Sequence, residues 1–205
     1  MAIAQTVPPG SILDRAKFFL TLDEYRSLEE TSEERHEYRN GEIFAMSGGS
    51  EAHSAIASNL LIYLGFLLRE TDFRLYNSDL RIWIPEFQCG TYADLTICNG
   101  KPEFNGDRTD EILNPILIAE VLSPSTEAYD RGKKFRKYRS LPSFCEYLLI
   151  SQTEPYVEQY YNRDRDKDRH WQLQIYEHLE QSISLHSLNI EISTTEIYRR
   201  ISFQE

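Results

Sequence analysis

Three side chains in the middle of the sequence have the chemistry and placement of a metal site: Asp94 and Glu120 as oxygen ligands and Lys134 on the helix after them. Glu120 is the one charged residue in the run Ile116 to Leu122, which is bounded by Pro115 and by Ser123-Pro124. A short apolar run with such boundaries predicts a central strand covered on both faces. An ionised carboxylate there costs several kcal/mol unless a counter-charge or a metal offsets it. Asp94 poses the same question from the run Tyr92 to Cys98, where period two puts Ala93, Leu95 and Ile97 on one face and Tyr92, Asp94, Thr96 and Cys98 on the other. Two acids from adjacent strands can converge on one hard cation, Mg2+ or Mn2+, which prefers oxygen ligands and keeps several waters. The alternative for either acid alone is an ion pair with an arginine such as Arg74 or Arg81.

Positioning these acids calls for a helix after the second strand. Ser123-Pro124-Ser125-Thr126 supplies N-cap candidates and a proline near the start, and Leu141-Pro142 ends the pattern, so a helix is expected over about 126–140. Asp130, Lys134 and Tyr138 then share one stripe at i, i+4 and i+8, with Asp130 placed to steady Lys134. The competing reading is a solvated basic face, because Arg131, Lys133, Arg136, Lys137 and Arg139 crowd the same helix.

The order Asp94, then Glu120-Val-Leu-Ser-Pro-Ser-Thr126, then Asp130-Arg-Gly-Lys-Lys134 and Tyr138, then Glu146-Tyr-Leu-Leu-Ile150 resembles the Uma-type restriction endonuclease family of bacteria. That family belongs to the PD-(D/E)XK, or restriction-endonuclease-like, superfamily. The likeness continues upstream in Glu37-Tyr-Arg-Asn-Gly-Glu-Ile43 and in His53, and it covers most of residues 18–200. It implies that Asp94 and Glu120, with the Val121 carbonyl, bind Mg2+ or Mn2+, that Lys134 is the catalytic lysine, and that Glu37 faces the site. Two positions depart from the superfamily signature. Ala93 stands in place of its proline, and Leu122 stands where its lysine would follow the acid, so the lysine comes from the next helix as Lys134, with Lys133 and Lys137 as substitutes.

At 205 residues and 40% hydrophobic content the chain can bury a core of its own, and a single domain over 18–205 after a loose arm over 1–17 is expected. The net charge of −11 is the feature that fits a nucleic-acid binder least, so DNA contact must rely on local clusters such as 131–139 with Arg163, Arg165 and Arg169. Cys89, Cys98 and Cys145 are odd in number and lack metal-finger spacing, which points to a reducing cytoplasm. Residues 1–10 lack the charged and apolar regions of a secretion signal. The apolar run Leu60 to Leu68 is well under the roughly 20 residues of a membrane span.

Local signals place the remaining elements. Thr21 caps a short helix with Glu24 at the capping-box position, and Asn40-Gly41 forms the turn of a hairpin whose first strand bears Glu37. Ser47 to Ser50 is a flexible connection, followed by a helix over about 51–69 with Ile56, Leu60, Tyr63, Leu64 and Leu67 at helical spacing and His53 in its first turn as a supporting residue. Phe73 to Ile84 reads as a strand beside Asp94 with Leu80, Ile82 and Ile84 alternating, and Gly100 to Asn114 reads as a surface loop. Strands follow at 146–151, 156–161 and 171–177, with a charged turn between the last two, then apolar alternation from Ile183 to Ile192 and a turn of helix at 194–198. The expected whole is an α/β, restriction-endonuclease-like core with a mixed central sheet, acting as a Mg2+-dependent DNA endonuclease, cytoplasmic and homodimeric. A catalytically silent binding or assembly module with the same fold, or a hydrolase of a smaller phosphoester, are the alternatives.

Overall fold

Strand β8 (Pro115–Leu122) is rich in Ile, Leu and Val, has no interior proline or glycine, and is buried along its whole length. In the computed structural model it lies inside a six-stranded sheet. Its partners are β3 (Phe73–Asn77), β6 (Leu95–Asn99), β9 (Glu146–Ser151), β10 (Val157–Tyr161) and β11 (Gln172–Tyr176), in the order β11-β10-β9-β8-β6-β3. Strands β8 and β9 run parallel and the other neighbours antiparallel, so the mixed central sheet is present. The structure describes residues 19–46, 48–162 and 170–203. The expected arm over 1–17, Ser47, and Arg163, Arg165 and Arg169 of the charged turn lie outside the described residues.

The side chains of β8 divide by period two. Leu117, Ala119 and Val121 join the core that also contains Ile56, Leu60, Leu64 and Leu68 of helix α2 (Glu51–Leu68). Ile118 and Leu122 join the opposite core with Phe135, Tyr138 and Tyr147. Glu120 shares the parity of Ile118 and Leu122, so it faces the helix that follows the strand. That helix is built of α3 (Glu127–Tyr129), a wider π turn over Asp130–Lys134, and α4 (Phe135–Tyr138).

Helix α2 is capped by the Ser50 hydroxyl, which accepts the His53 N–H at 3.1 Å. Its buried stripe is narrower than the spacing predicts, with Leu67 37% exposed, and Ile62 and Phe66 face outward. The whole helix, 18 residues at mean hydropathy 1.3, is long and apolar enough to cross a membrane by length and composition alone. The shorter run Leu60 to Leu68 had concealed this. Here its stripe packs on the sheet.

A second sheet, unexpected from sequence, contains β1 (His36–Arg39), β2 (Glu42–Ala45), β4 (Arg81–Ile84), β5 (Cys89–Thr91) and β7 (Glu111–Ile112), ordered β2-β1-β5-β4-β7. The hairpin turn forms as predicted, with Asn40 and Gly41 at φ 48° and 99°. The Thr21 capping box opens α1 (Leu22–Glu29) as predicted. Two expectations need correction. Phe73 to Ile84 is two strands in different sheets, and β4 shows no alternation because Ile82 and Ile84 enter one core while Trp83 stacks near Tyr38 in another. The stretch 100–114 is not all surface, since it contributes β7, whose Glu111 and Ile112 are buried.

Glu111 is held in a polar cluster that ties β7 to α1 and β4. Arg26 binds it through two nitrogens at 3.0 and 2.7 Å, Asn105 donates at 2.7 Å, and Arg81 lies at 3.1 Å. Burial opposes its charge, but the bonds from Arg26 and Asn105 and the Arg81 field hold its carboxyl below the usual range. A carboxyl depressed on folding contributes stability that is present above the unfolded value and lost as pH falls through the folded one. Glu111→Gln is therefore expected to cost about 1–3 kcal/mol at neutral pH. Urea midpoints should show this gap from wild type narrowing at about pH 3, below the ordinary carboxyl range. A gap that does not change with pH would remove the charge from the explanation.

Glu146 opens β9 and is fully buried without a cationic partner among the described residues. Its oxygens accept from the Gln159 amide at 2.5 Å, from the His186 and Ser187 N–H groups at 3.1 and 2.8 Å, and from the Ser187 hydroxyl at 2.5 Å. These bonds fasten the turn between β12 (Ser182–Leu185) and β13 (Ile190–Ser193) to the main sheet, ahead of the terminal turn α5 (Thr194–Ile197). Glu146→Ala removes the shared acceptor of the buried Gln159 amide and the half-buried His186 and Ser187 donors, so a loss of about 1–3 kcal/mol is expected. Amide exchange at His186 and Ser187 should accelerate with it; unchanged protection there would contradict the role.

Candidate active site

Residues 92–94 belong to neither sheet and carry the chain from β5 to β6. Asp94 therefore stands just before its predicted strand, and the expected face-sharing of Ala93 with Leu95 and Ile97 fails: Ala93 lies in the core opposite theirs. Strand β6 begins at Leu95 opposite Ala119, while β8 continues to Leu122. Along that unpaired edge the Val121 N–H donates to Asp94 Oδ2 at 2.7 Å. A residue's N–H and C=O leave a strand on the same side, so the Val121 carbonyl faces the same gap. His53 Nε2, from the first turn of α2, sits 3.3 Å from Asp94 Oδ2. The Asp94 carboxylate beside it pushes the imidazole above its ordinary pKa despite burial.

Glu120, Asp130, Lys134 and Tyr138 come together as the helical stripe predicts. Lys134 Nζ is 2.8 Å from Glu120 Oε1, 3.4 Å from Asp130 Oδ1, and donates to the Tyr92 carbonyl at 3.1 Å. The Tyr138 hydroxyl donates to Glu120 Oε1 at 2.9 Å. The π turn is the local device, because it brings Asp130 and Lys134 inward together where a solvated face was the alternative. Burial pushes the Glu120 carboxyl well above the usual range, with Asp130 and Asp94 adding to it and Lys134 opposing. Burial disfavours charge on Lys134 as well, but the surrounding carboxylates outweigh it and hold the ammonium protonated.

Neither Arg74 nor Arg81 pairs with the two acids; Arg81 is occupied by Asp110 at 2.8 Å and by Glu111. Lys133 is exposed, and Lys137 donates to Cys89 Sγ and the Tyr129 hydroxyl at 3.2 and 3.1 Å, so Lys134 alone of the three touches Glu120. The basic face expected over 131–139 is largely spent internally. Arg131 pairs with Glu127 and Glu158, and Arg139 lies over the Phe135 ring. Glu37 makes its bonds elsewhere than with the cluster and accepts from Arg39, from the Thr91 hydroxyl, and from Tyr129 at 3.3 Å. Burial opposes its charge, yet Lys134 and Arg39 hold its carboxyl below the usual range.

Asp94, Glu120, Val121, Asp130, Lys134 and His53 line one cleft of about 440 Å3, and Glu37 does not reach it. Through Met46, Gly48, Gly49, His53, Ser78 and Asp94 the cleft continues into a groove of about 660 Å3. On the other side it shares Ser123, Pro124, Gln152 and Thr153 with a groove of about 260 Å3. The carboxyls of Asp94, Glu120 and Asp130, set beside Lys134 and His53, make the cleft rich in hard oxygen donors of the kind a cation takes. Asp94 Oδ1 and Glu120 Oε2 accept no hydrogen bond from the described residues, so each acid keeps one oxygen for a ligand. Among the described residues no three His, Cys, Asp or Glu side chains form a closed metal cage. Two carboxylates and a carbonyl therefore fit a hard ion that retains waters.

Sequence reasoning missed Tyr92, whose contribution to the cluster is a backbone carbonyl and leaves no side-chain signal. It also missed Gln152, which donates to the Leu122 carbonyl at 2.7 Å and meets the Ser50 hydroxyl, joining the end of β8 to the cap of α2.

Comparison with known proteins gives the family and the fold. The uncharacterized protein slr1290 of Synechocystis is 38% identical over 185 residues, covering 90% of this chain and 94% of the relative. The uncharacterized protein sll1609 of the same organism is 36% identical over 154 residues, covering 75% and 85%. Among solved structures, a "putative nuclease belonging to DUF820" from Anabaena variabilis shares the fold with TM-score 0.68 at 19% identity, over 87% of this chain and 97% of that one. The family model Uma2, described as "Putative restriction endonuclease", matches residues 22–196, a span that takes in every side chain of the cleft, and the chain belongs to that family.

Proposed function

We propose that the chain is a metal-dependent endonuclease of PD-(D/E)XK type that hydrolyses DNA phosphodiester bonds. The observation that carries this reading is the meeting of Asp94, Glu120 and Lys134 in one cleft with no arginine on either acid. Asp94, Glu120 and the Val121 carbonyl would hold Mg2+ or Mn2+, which when bound lowers the pKa of a water and offsets phosphate charge. Lys134 orients the attacking water or offsets charge on the pentavalent phosphorus, an electrostatic role. Glu37 acts from behind, fixing β1 to Thr91 of β5 and Tyr129 of α3 and adding to the field at Lys134. The three linked grooves suit a polymer better than a small phosphoester, which a closed pocket would favour.

A second reading, a silent binding module, is favoured by the net charge of −11 and by Leu122 standing where the superfamily signature has its lysine. Incubation of supercoiled and linear DNA with Mg2+, Mn2+ or EDTA separates the two. Cleavage that requires the metal supports the enzyme; intact DNA in every condition, with DNA retained by the protein in a gel shift, supports the module. A second copy would bring a second cleft to the opposite strand, and sedimentation should then give twice the chain mass. The buried thiols of Cys89 and Cys98 fit a cytoplasmic setting.

A further inference from the structure

We infer that Tyr92 is a positioning residue whose anchored hydroxyl holds the 92–94 link, and through it both Lys134 and Asp94, in place. The link has no ladder hydrogen bonds of its own. What fixes it is a short set of contacts: the Tyr92 carbonyl receives Lys134 Nζ at 3.1 Å, and Asp94 receives the Val121 N–H. At the other end of the same residue the Tyr92 hydroxyl donates to Glu29 Oε2 at 2.7 Å and receives Arg81 Nη1 at 3.4 Å. Tyr92 and Arg81 are 5% and 1% exposed, so this anchor is closed to water and cannot be replaced by solvent. Glu29 comes from α1 and Arg81 from β4, both outside the sheet that carries Glu120. Tyr92 thus transmits the placement of the second sheet to the lysine.

The inference concerns the placement of Lys134; its consequence for catalysis rests on the proposed function above. The test therefore has two readouts. Ammonium-detected 15N NMR of lysine should show a slowly exchanging Lys134 signal in wild type, assigned by its absence in Lys134→Met. In Tyr92→Phe, which keeps the ring, exchange of that signal is expected to rise about tenfold, as the loss of a hydrogen bond of ordinary strength implies. Tyr198→Phe, which removes a buried hydroxyl bonded to the Tyr156 backbone, serves as the control and should leave the signal unchanged. If Tyr92→Phe fails to fold, Glu29→Ala releases the same hydroxyl, whereas Glu29→Gln keeps an acceptor and should preserve the signal. In the cleavage assay, Tyr92→Phe should lower kcat about tenfold with KM within about twofold. An unchanged Lys134 signal in the folded variants, or equal changes in Tyr198→Phe, overturns the inference whatever the DNA assay gives. A wild type without nuclease activity overturns the proposed function and leaves the NMR readout decisive for Tyr92.

Discussion

Asp94→Asn is expected to reduce metal-dependent DNA cleavage by at least about 100-fold, the scale of removing one charge-stabilising group from an active site. The fold should survive the change. The asparagine carbonyl can still accept the Val121 N–H that the aspartate receives at 2.7 Å, so the unpaired edge of β8 remains covered. What disappears is the charge and the second hard oxygen facing the cleft. Thermal midpoints close to wild type together with lost cleavage would assign Asp94 to the chemistry. Cleavage within about tenfold of wild type, beyond what loss of a metal ligand permits, would remove it from that role.

Lys134→Met is expected to lose cleavage and, unlike Asp94→Asn, about 3–5 kcal/mol of stability as well. The ammonium is the counter-charge for Glu120 at 2.8 Å and Asp130 at 3.4 Å, and all three side chains are buried. Removing it leaves carboxylates in a core that also holds Phe135, Tyr138 and Tyr147. Glu120→Gln in the Lys134→Met background should restore part of that loss, because deleting both partners of a buried pair costs less than deleting one. Urea unfolding of the two single variants and the double variant measures the coupling. Additive losses, or a Lys134→Met midpoint equal to wild type, would show that the lysine is not the counter-ion of this cluster. Inactivity of Lys134→Met taken alone is not evidence of a chemical role, since loss of folding gives the same result.

Family membership was legible as a resemblance carried by the blocks Glu120 to Thr126 and Asp130 to Lys134, while the strand and the helix that bear them were legible because an acid within an apolar run and a stripe at helical spacing are local patterns. The same locality made the Thr21 cap, the Asn40-Gly41 turn and the strands of 146–161 readable. The second sheet was not readable. Strand β7 is two residues long and β5 is three, too short for any period to show, and β4 is buried on both faces so its alternation vanishes. Glu37 illustrates the limit for the site: its neighbours in sequence predicted a hairpin, but its direction depends on Thr91 and Tyr129 from distant segments.

The sequence by itself determined which residues could act and on which elements they ride: an acid on a covered strand, a lysine on the helix after it, and a glycine turn in the first hairpin. These follow from periods of two and 3.6 and from the cost of isolated charge, which operate over a few residues at a time. Only the tertiary structure decided that Lys134 and not Lys133 or Lys137 meets Glu120, that Asp94 leaves its strand to receive the Val121 N–H, and that Glu37 stays outside the cleft. Those outcomes turn on a π turn, on where β6 stops short of β8, and on Tyr92 joining α1 and β4 to Lys134. Each is a contact between segments remote in the chain, and local periodicity carries no information about it.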